Sequence, residues 1–343
     1  MAYNIPRMLA DGVDYVDLVK IWANITEPDD WCAKWMDEAL VHEKIAEEAF
    51  AQGDTITAGE AFWKASLYNH YGQFMEWDNR SRKSDAIQRK VQAYNRGAPL
   101  FKPPAERIEI PFESASLPGF LRVPTDKSNP PCVLLIGGLE STKEEYYAFE
   151  NLCQRRGLAT FAFDGPGQGE AYYKLKARPD FEKATSVVLD YLQNRKEINS
   201  DKFGVIGRSL GGYYAPRSAA FDKRIKACVA WAVIYDFRTW DKMSAELKNG
   251  WTYISDKKNW EEAQQFFKSF TLKGVAERIS CPLYILQGKL DDICPAEQAE
   301  WLAKEAKGST KLVIEENGTH CAHNMSHIVR PRMADWLAKT LNA

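Results

Sequence analysis

The stretch Phe203-Gly204-Val205-Ile206-Gly207-Arg208-Ser209-Leu210-Gly211-Gly212 decides how the chain is read. A short, mostly apolar run leads straight into G-x-S-x-G, the pattern of a nucleophile elbow, in which a strand turns sharply into a helix and presents a serine hydroxyl above a sheet. Glycines flank the serine because a β-carbon at Gly207 or Gly211 would obstruct a cramped backbone. A serine between glycines also occurs in ordinary turns, so the motif depends on its surroundings. Here a strand precedes it and the helix-compatible run Tyr213 to Ala220 follows, which is the context the motif requires. Ser209 is the candidate nucleophile.

A serine hydroxyl is a weak nucleophile at neutral pH and needs a histidine to take its proton and a carboxylate to orient that histidine. After an elbow of this kind the expected chain order is Ser, Asp, His. Both partners are present. Gly288-Lys289-Leu290-Asp291-Asp292-Ile293-Cys294-Pro295 follows the strand Leu283 to Leu286, and Asp291 is the preferred acid. Asp292 competes with it, its alternative being a solvated loop residue or a helix-start carboxylate. Glu316-Asn317-Gly318-Thr319-His320-Cys321-Ala322-His323-Asn324 follows Val313-Ile314. His320 fits the base, His323 is close enough to support it or line the pocket, and His327 belongs to the last helix.

Acyl transfer also needs N–H donors for a developing oxyanion. The backbone of Leu210 supplies one, and Gly138 or Leu139 in Ile136-Gly137-Gly138-Leu139-Glu140 supplies the other, the two being equivalent at this level. The run Asp164-Gly165-Pro166-Gly167-Gln168-Gly169-Glu170 lacks both the G-x-G-x-x-G spacing and the Lys-Ser/Thr of a phosphate loop. It reads as a tight loop bordering the site.

Outward from the elbow, Val133 to Ile136, Ala159 to Phe163, Ala227 to Val233, Leu283 to Leu286 and Lys311 to Ile314 read as strands buried on both faces. Helical runs alternate with them: Lys143 to Arg156, Phe181 to Asn194, Leu210 to Phe221, Ala296 to Lys307 and Ile328 to Leu341. That alternation predicts a mostly parallel sheet flanked by helices, an α/β layered domain, opened by an antiparallel pair over Arg107 to Phe112 and Gly119 to Val123. Ligands of such sheets bind beyond the carboxyl ends of the strands. The interval of about 236–277, rich in Trp, Phe and Lys, is long for a crossover and predicts a cap insertion.

Upstream, Trp31 to Ala98 shows helical spacing without strand signal. Its clearest segment, Ala58 to Trp77, repeats Phe62, Ser66, Tyr68, Tyr71, Phe74 and Trp77 at helical intervals. Those aromatics either roof a substrate pocket or dock the helices on one another, and His42 and His70 among them read as surface or packed histidines. A linker composition at Arg96-Gly97-Ala98-Pro99 and Pro103-Pro104 closes the region. The expected division is an all-helical domain over 1–100 and a catalytic domain over 101–343.

With 343 residues, 45% of them apolar, the chain can bury a large core. Its 45 basic and 47 acidic residues leave a net charge of -2, which gives no electrostatic reason to expect nucleic acid or an anionic membrane. No leader pattern opens the chain and no run approaches the roughly 20 apolar residues of a membrane span, so the expected location is cytoplasmic. The seven cysteines are scattered, without C-x-x-C spacing, and read as reduced thiols rather than disulfides or a metal site. No cofactor or metal is expected, and the expected partner is a small-molecule substrate.

At Gly137-Gly138-Leu139-Glu140-Ser141-Thr142-Lys143, Phe163 to Glu170, Gly207 to Gly212 and His320-Cys321-Ala322-His323-Asn324 the chain resembles the α/β-hydrolase fold superfamily and, more narrowly, the dihydroxypseudooxynicotine hydrolase group. The resemblance spans essentially the whole chain. It implies hydrolysis of a carbon–carbon bond beside a ketone in an aromatic or polyketide-like substrate, Ser209, Asp291 and His320 as triad, and a homodimer. It also implies a further catalytic acid after the sixth strand, where Asp236, Asp241 and Glu246 are the candidates against an alternative of solvated charge. A carboxylesterase with the same triad is the rival activity, and a non-catalytic binding protein of this fold is the rival from another class.

Overall fold

The computed structural model describes residues 4–74 and 76–342. Met1 to Tyr3, Met75 and Ala343 lie outside the described residues, Met75 falling within the run expected to be one helix from Ala58 to Trp77. The chain divides into two compact units. One holds the residues up to Arg107 together with Glu144–Ala148, and the other holds Ile108–Lys143 and the residues from Phe149 onward.

The first unit is helical: α1 (Ile5–Asp11), α2 (Tyr15–Ala23), α3 (Asp30–Gln52), α4 (Thr55–Gly72) and α5 (Arg80–Gly97). Local chemistry sets the ends. Gly53, at φ 84°, closes α3 with its N–H on the carbonyls of the last turn. The Asn79 side chain accepts the Arg82 N–H at 3.0 Å and starts α5. Helix α4 stops at Gly72, so Phe74 and Trp77 lie beyond it, although both are buried. Every residue from Ala65 to Gly72 is buried, which makes α4 the centre of its unit rather than a helix with one dry face. Its aromatics dock helices: Tyr68 and Tyr71 stand 5.7 and 5.4 Å from the Trp35 ring, and the Tyr71 hydroxyl donates to Asp11 Oδ2 at 2.7 Å.

The division differs from one at residue 100, and buried charge explains part of the difference. Glu144 Oε2 lies 2.9 Å from Lys90 Nζ and Glu145 Oε1 lies 2.5 Å from Arg7 Nη2, with all four side chains buried or nearly so. His70 Nε2 is 3.2 Å from Glu145 Oε2; burial and then the Lys90 and Arg7 charges hold its pKa well below the ordinary value. His42 is bonded to Asp17 at 2.9 Å. Both histidines are structural.

The second unit carries an eight-stranded sheet in the order β1-β2-β4-β3-β5-β6-β7-β8. Its strands are β1 (Ala105–Phe112), β2 (Ala115–Arg122), β3 (Pro131–Ile136), β4 (Ala159–Phe163), β5 (Asn199–Arg208), β6 (Ile225–Trp231), β7 (Leu283–Gly288) and β8 (Thr310–Glu315). Glu113 and Ser114 form the two-residue turn between β1 and β2, Glu113 at φ 52°. Strand β2 pairs antiparallel with β4, and every pair from β4 through β8 is parallel. Strands β3, β4 and β7 are buried along their whole length, as parallel strands covered on both faces must be. Strand β8 departs from that expectation. It is partly exposed throughout, because it ends the strand order and has one neighbour.

The crossovers use α6 (Tyr147–Gln154), α7 (Glu182–Leu192), α8 (Gly211–Phe221) and α11 (Ala296–Glu305), and α12 (Ser326–Asn342) follows β8. Between β6 and β7 the chain adds α9 (Ala245–Ser255) and α10 (Trp260–Phe267). Many aromatics of this insertion pack on one another: Phe237 stands 4.9 Å from Trp251 and 4.7 Å from Phe267, which stands 4.6 Å from Phe270, and all four are buried. Others reach beyond it, Tyr253 to Tyr172 at 4.4 Å and Phe270 to Tyr213 at 5.3 Å. The seven cysteines are free thiols.

Candidate active site

Strand β5 ends at Arg208 and α8 begins at Gly211, leaving Ser209 at the bend with φ 58°. A non-glycine residue in this left-handed region is strained and persists only where the surroundings hold it. Two main-chain bonds do so: Ser209 N–H donates to Trp231 O at 2.8 Å, and Gly212 N–H donates to Ser209 O at 2.6 Å. The flanking glycines are demanded by close approach. A β-carbon at Gly207 would sit 1.9 Å from Gly211 O, and one at Gly211 would sit 2.3 Å from Ile136 O.

The structure brings Ser209, His320 and Asp291 into one hydrogen-bonded chain. His320 Nε2 is 3.1 Å from Ser209 Oγ, and His320 Nδ1 is 3.0 and 2.9 Å from Asp291 Oδ1 and Oδ2. Asp291 is itself fixed. Its Oδ1 accepts from Ile293 N at 3.0 Å and Cys294 N at 2.8 Å, and its Oδ2 accepts from Gln287 Nε2 at 3.1 Å and Cys321 N at 3.4 Å. Asp292 is exposed and stays outside this network. Burial alone would lower the pKa of His320, but the Asp291 carboxylate outweighs it and holds the imidazole well above its ordinary value. Such a group takes up a proton readily from a neighbour 3.1 Å away.

The donor atoms of Asp291, Cys294 and His320 lie within 4.8 Å of one another, a set that could hold a zinc ion. Asp291 and His320 are bonded within the relay, and burial followed by the Asp291 charge pushes the Cys294 thiol up to about 12. The thiol touches the His320 ring as a neutral neighbour.

The turn after β3 also lies against Ser209. A β-carbon at Gly138 would stand 3.1 Å from Ser209 Cβ and 3.6 Å from its Oγ, so this residue lies directly against the serine. Leu139 is next along the turn and half-buried, and Leu210 is fully buried. The turn is braced from below. Gln168 Nε2 donates to Gly137 O at 2.7 Å while its Oε1 accepts from Gly165 N at 3.1 Å. Asp164 accepts from Lys143 N at 2.8 Å and Lys143 Nζ at 2.9 Å, and Lys143 also meets Glu170. Arg208 Nη2 donates to Ser141 Oγ at 3.1 Å. The run Asp164 to Glu170 thus holds the neighbouring glycine turn in shape.

The other candidates are not brought to this relay. The carboxylate of Asp236 is engaged by the Arg238 guanidinium two residues on, at 2.8 Å to Nε. Asp241 Oδ1 takes a bond from Gln264 at 3.2 Å, and Glu246 is exposed in the first turn of α9. His323 is buried, its ring 6.5 Å from that of His320 and 5.8 Å from that of Trp231. Three contributors escape sequence reasoning: Gln287, Trp231 and Gln168. The first two look like ordinary interior residues of strands, and the third like a spacer between glycines.

A sheet of this order, with the serine after β5, the acid after β7 and the histidine after β8, defines an α/β-hydrolase. The chain belongs to the FrsA-like esterase family, whose model matches residues 26–342. It is 40% identical over 343 residues to the 2,6-dihydropseudooxynicotine hydrolase of Paenarthrobacter nicotinovorans, covering 99% of this chain and 92% of that one. A crystal structure of 2,6-dihydroxy-pseudo-oxynicotine hydrolase superposes with a TM-score of 0.92 at 38% identity, over 98% of this chain and 95% of the other. The 20-hydroxy-prefusarin hydrolase FUS2 of Gibberella moniliformis is 35% identical over 248 residues, 67% of this chain but 59% of its own length. The protein is a hydrolase. Among the described residues no helix is long and apolar enough to cross a membrane.

Proposed function

We infer that the protein cleaves the carbon–carbon bond beside a ketone in an aromatic or polyketide-like small molecule, through an acyl group carried on Ser209. The observation that carries this reading is the relay from Ser209 through His320 to Asp291, with a strained serine at one end and a fully hydrogen-bonded carboxylate at the other. Its relatives supply the choice of bond.

Ser209 Oγ attacks the ketone carbon as its proton passes to His320 Nε2, while Asp291 holds Nδ1–H and stabilises the imidazolium. The new alkoxide is received by the backbone N–H groups of Leu210 and of Gly138 or Leu139. Collapse restores the carbonyl and breaks the carbon–carbon bond, and the departing carbon takes the proton from His320. A carbon leaving group is poorer than an alkoxide, so the substrate must delocalise the released electron pair, as a β-dicarbonyl or a hydroxylated ring does. Water, deprotonated by His320, then attacks the acyl group, releases a carboxylic acid and restores Ser209.

A second reading has one observation in its favour: the matching family is described as esterase, and an ester needs the same groups. A panel of β-diketones and acyl-phenols beside simple aryl esters separates the two. Turnover of the ketones, with the acyl fragment found on Ser209 by mass spectrometry, supports the first reading. Rapid ester turnover with none of the ketones overturns it.

The protein acts as a homodimer in the cytoplasm on this reading. Exposed apolar side chains on successive helices, Val16 and Val19 of α2, Phe50 of α3 and Ile56 of α4, support self-association. Sedimentation at micromolar concentration tests it, and a monomer refutes it.

A further inference from the structure

Trp231 ends β6 directly beside Arg208 in the parallel ladder. Two of its polar groups bond to different segments. The main-chain carbonyl accepts the N–H of Ser209 at 2.8 Å. The indole Nε1–H donates to the main-chain carbonyl of Cys321, 90 positions away in sequence, at 2.6 Å. One fully buried residue thereby bonds to the backbone of the serine elbow and to that of the loop that carries His320.

Both partners are strained. Ser209 has φ 58°, and the two residues after His320, Cys321 and Ala322, have φ 56° and 48°. Left-handed backbone costs a non-glycine residue roughly 1–3 kcal/mol, and consecutive cases survive only where the surroundings hold them. Local bonds within the loop, Ala322 N–H to Thr319 O at 2.7 Å and Thr319 N–H to Asn324 Oδ1 at 3.0 Å, shape the loop but do not locate it relative to Ser209. The indole bond does, joining the elbow side of the site to a loop whose Cys321 N–H and His320 ring are held on the other side by Asp291. The ring that carries it is fixed by the Arg208 and Arg330 guanidinium groups at 5.5 and 5.7 Å and by Phe149 at 5.9 Å.

We propose that Trp231 is a positioning residue that sets the distance between Ser209 Oγ and His320 Nε2, through its indole N–H on Cys321 and its carbonyl on Ser209. The inference rests on Ser209 and His320 acting as nucleophile and base. Were the indole only filling space, an isosteric bicycle without N–H would serve as well, whereas a phenyl ring would leave a cavity at this buried position. Loss of the bond frees the loop to relax toward ordinary φ values, which moves His320 away while leaving the substrate's binding surfaces alone. A misplacement of about 1 Å costs on the order of 100-fold in rate.

The test uses the full chain, with a fluorophosphonate that labels an active serine and a turnover assay. Trp231→Phe is expected to lower kcat by about 10- to 100-fold, with KM within about threefold and phosphonate labelling slowed in parallel. Replacing Trp231 by 3-benzothienylalanine keeps the bicycle and removes only the N–H, so it gives the same result should the phenylalanine variant fold poorly. Ala322→Gly, which adopts left-handed backbone without strain, is expected to leave the parent chain's kcat within twofold and to restore at least threefold in the Trp231→Phe background. That non-additivity distinguishes positioning from packing. Either variant retaining parental kcat and labelling overturns the inference, as does a loss that only tracks the folded fraction or that Ala322→Gly does not relieve. Absence of labelling at Ser209 in the parent chain overturns the underlying reading of the nucleophile instead.

Discussion

Asp291→Asn is the most discriminating perturbation of the relay, because the carboxylate does several things an amide cannot do together. Oδ1 accepts from Ile293 and Cys294 at 3.0 and 2.8 Å, and Oδ2 accepts from Gln287 and Cys321 while both oxygens face His320 Nδ1. An asparagine keeps the two shorter main-chain bonds by leaving its oxygen in the Oδ1 position. Its NH2 then confronts the Gln287 amide and the Cys321 N–H as donor against donor, each stranded buried donor costing about 1–3 kcal/mol of stability. The same NH2 must donate to His320 Nδ1, which forces the ring proton onto Nε2. There, 3.1 Å from Ser209 Oγ, the ring donates where it should accept, and the base is lost. A wrong tautomer of this kind costs roughly 10⁴-fold in kcat, or about 5.5 kcal/mol at ~1.4 kcal/mol per decade. Steady-state turnover with the folded fraction measured in parallel is the assay. Turnover within tenfold of the parent refutes the assignment, and so does a greater loss in Asp292→Asn, since Asp292 is exposed.

Four further outcomes follow from the same geometry. Ser209→Ala is expected to lower turnover by several orders of magnitude, and unchanged turnover removes Ser209 from the mechanism. The pH profile of kcat/KM should have its acid limb above the ordinary histidine value near 6.5, because His320 must be neutral to act and Asp291 raises its pKa; activity falls as pH drops through that value, and the residual activity of Asp291→Asn should show the limb displaced downward. Gly138→Ala places a β-carbon 3.0 Å from Arg208 O and 3.1 Å from Ser209 Cβ, displacing the turn, and an expected loss of about 100-fold in kcat corresponds to one oxyanion donor; a change under threefold excludes Gly138 from that role. Lys143→Met leaves Asp164 buried without its cation, so denaturant unfolding should report a loss of about 3–5 kcal/mol, and a loss under 1 kcal/mol would show that water reaches the site.

The α/β architecture was legible because parallel strands buried on both faces are written as unbroken apolar runs, as in Val133 to Ile136 and Ala159 to Phe163, and because crossovers force helical patterns between them. Boundaries were less legible. Phe74 and Trp77 keep helical spacing past Gly72, where α4 ends, because their burial is set by neighbouring helices rather than by a shared helix face. The order Ser209, Asp291, His320 could be read because each follows an identifiable strand. Loop position favoured Asp291 over Asp292 without settling the choice, since the four N–H donors that fix Asp291 converge only in three dimensions. Of the acids after β6, Asp236 is paired with Arg238 two residues on, a contact that is local in sequence.

The residues that hold the site are the ones whose sequence signal is weakest, and the physical reason is common to them. A nucleophile, base and acid announce themselves by chemical type. Gln287 bonds Asp291 on one side and the Val233 N–H at 3.0 Å on the other, Gln168 bonds Gly137 and Gly165, and Trp231 bonds Ser209 and Cys321. Each joins two segments far apart in sequence by satisfying main-chain or carboxylate groups that burial would otherwise leave costly. The strained positions Ser209, Ala232, Cys321 and Ala322 lie among these bridges, with Trp231 bonded to two of them and adjacent to a third. The sheet accordingly does more than display three side chains at its carboxyl edge: its strand ends supply the bonds that keep an unfavourable backbone in the one conformation where those side chains meet.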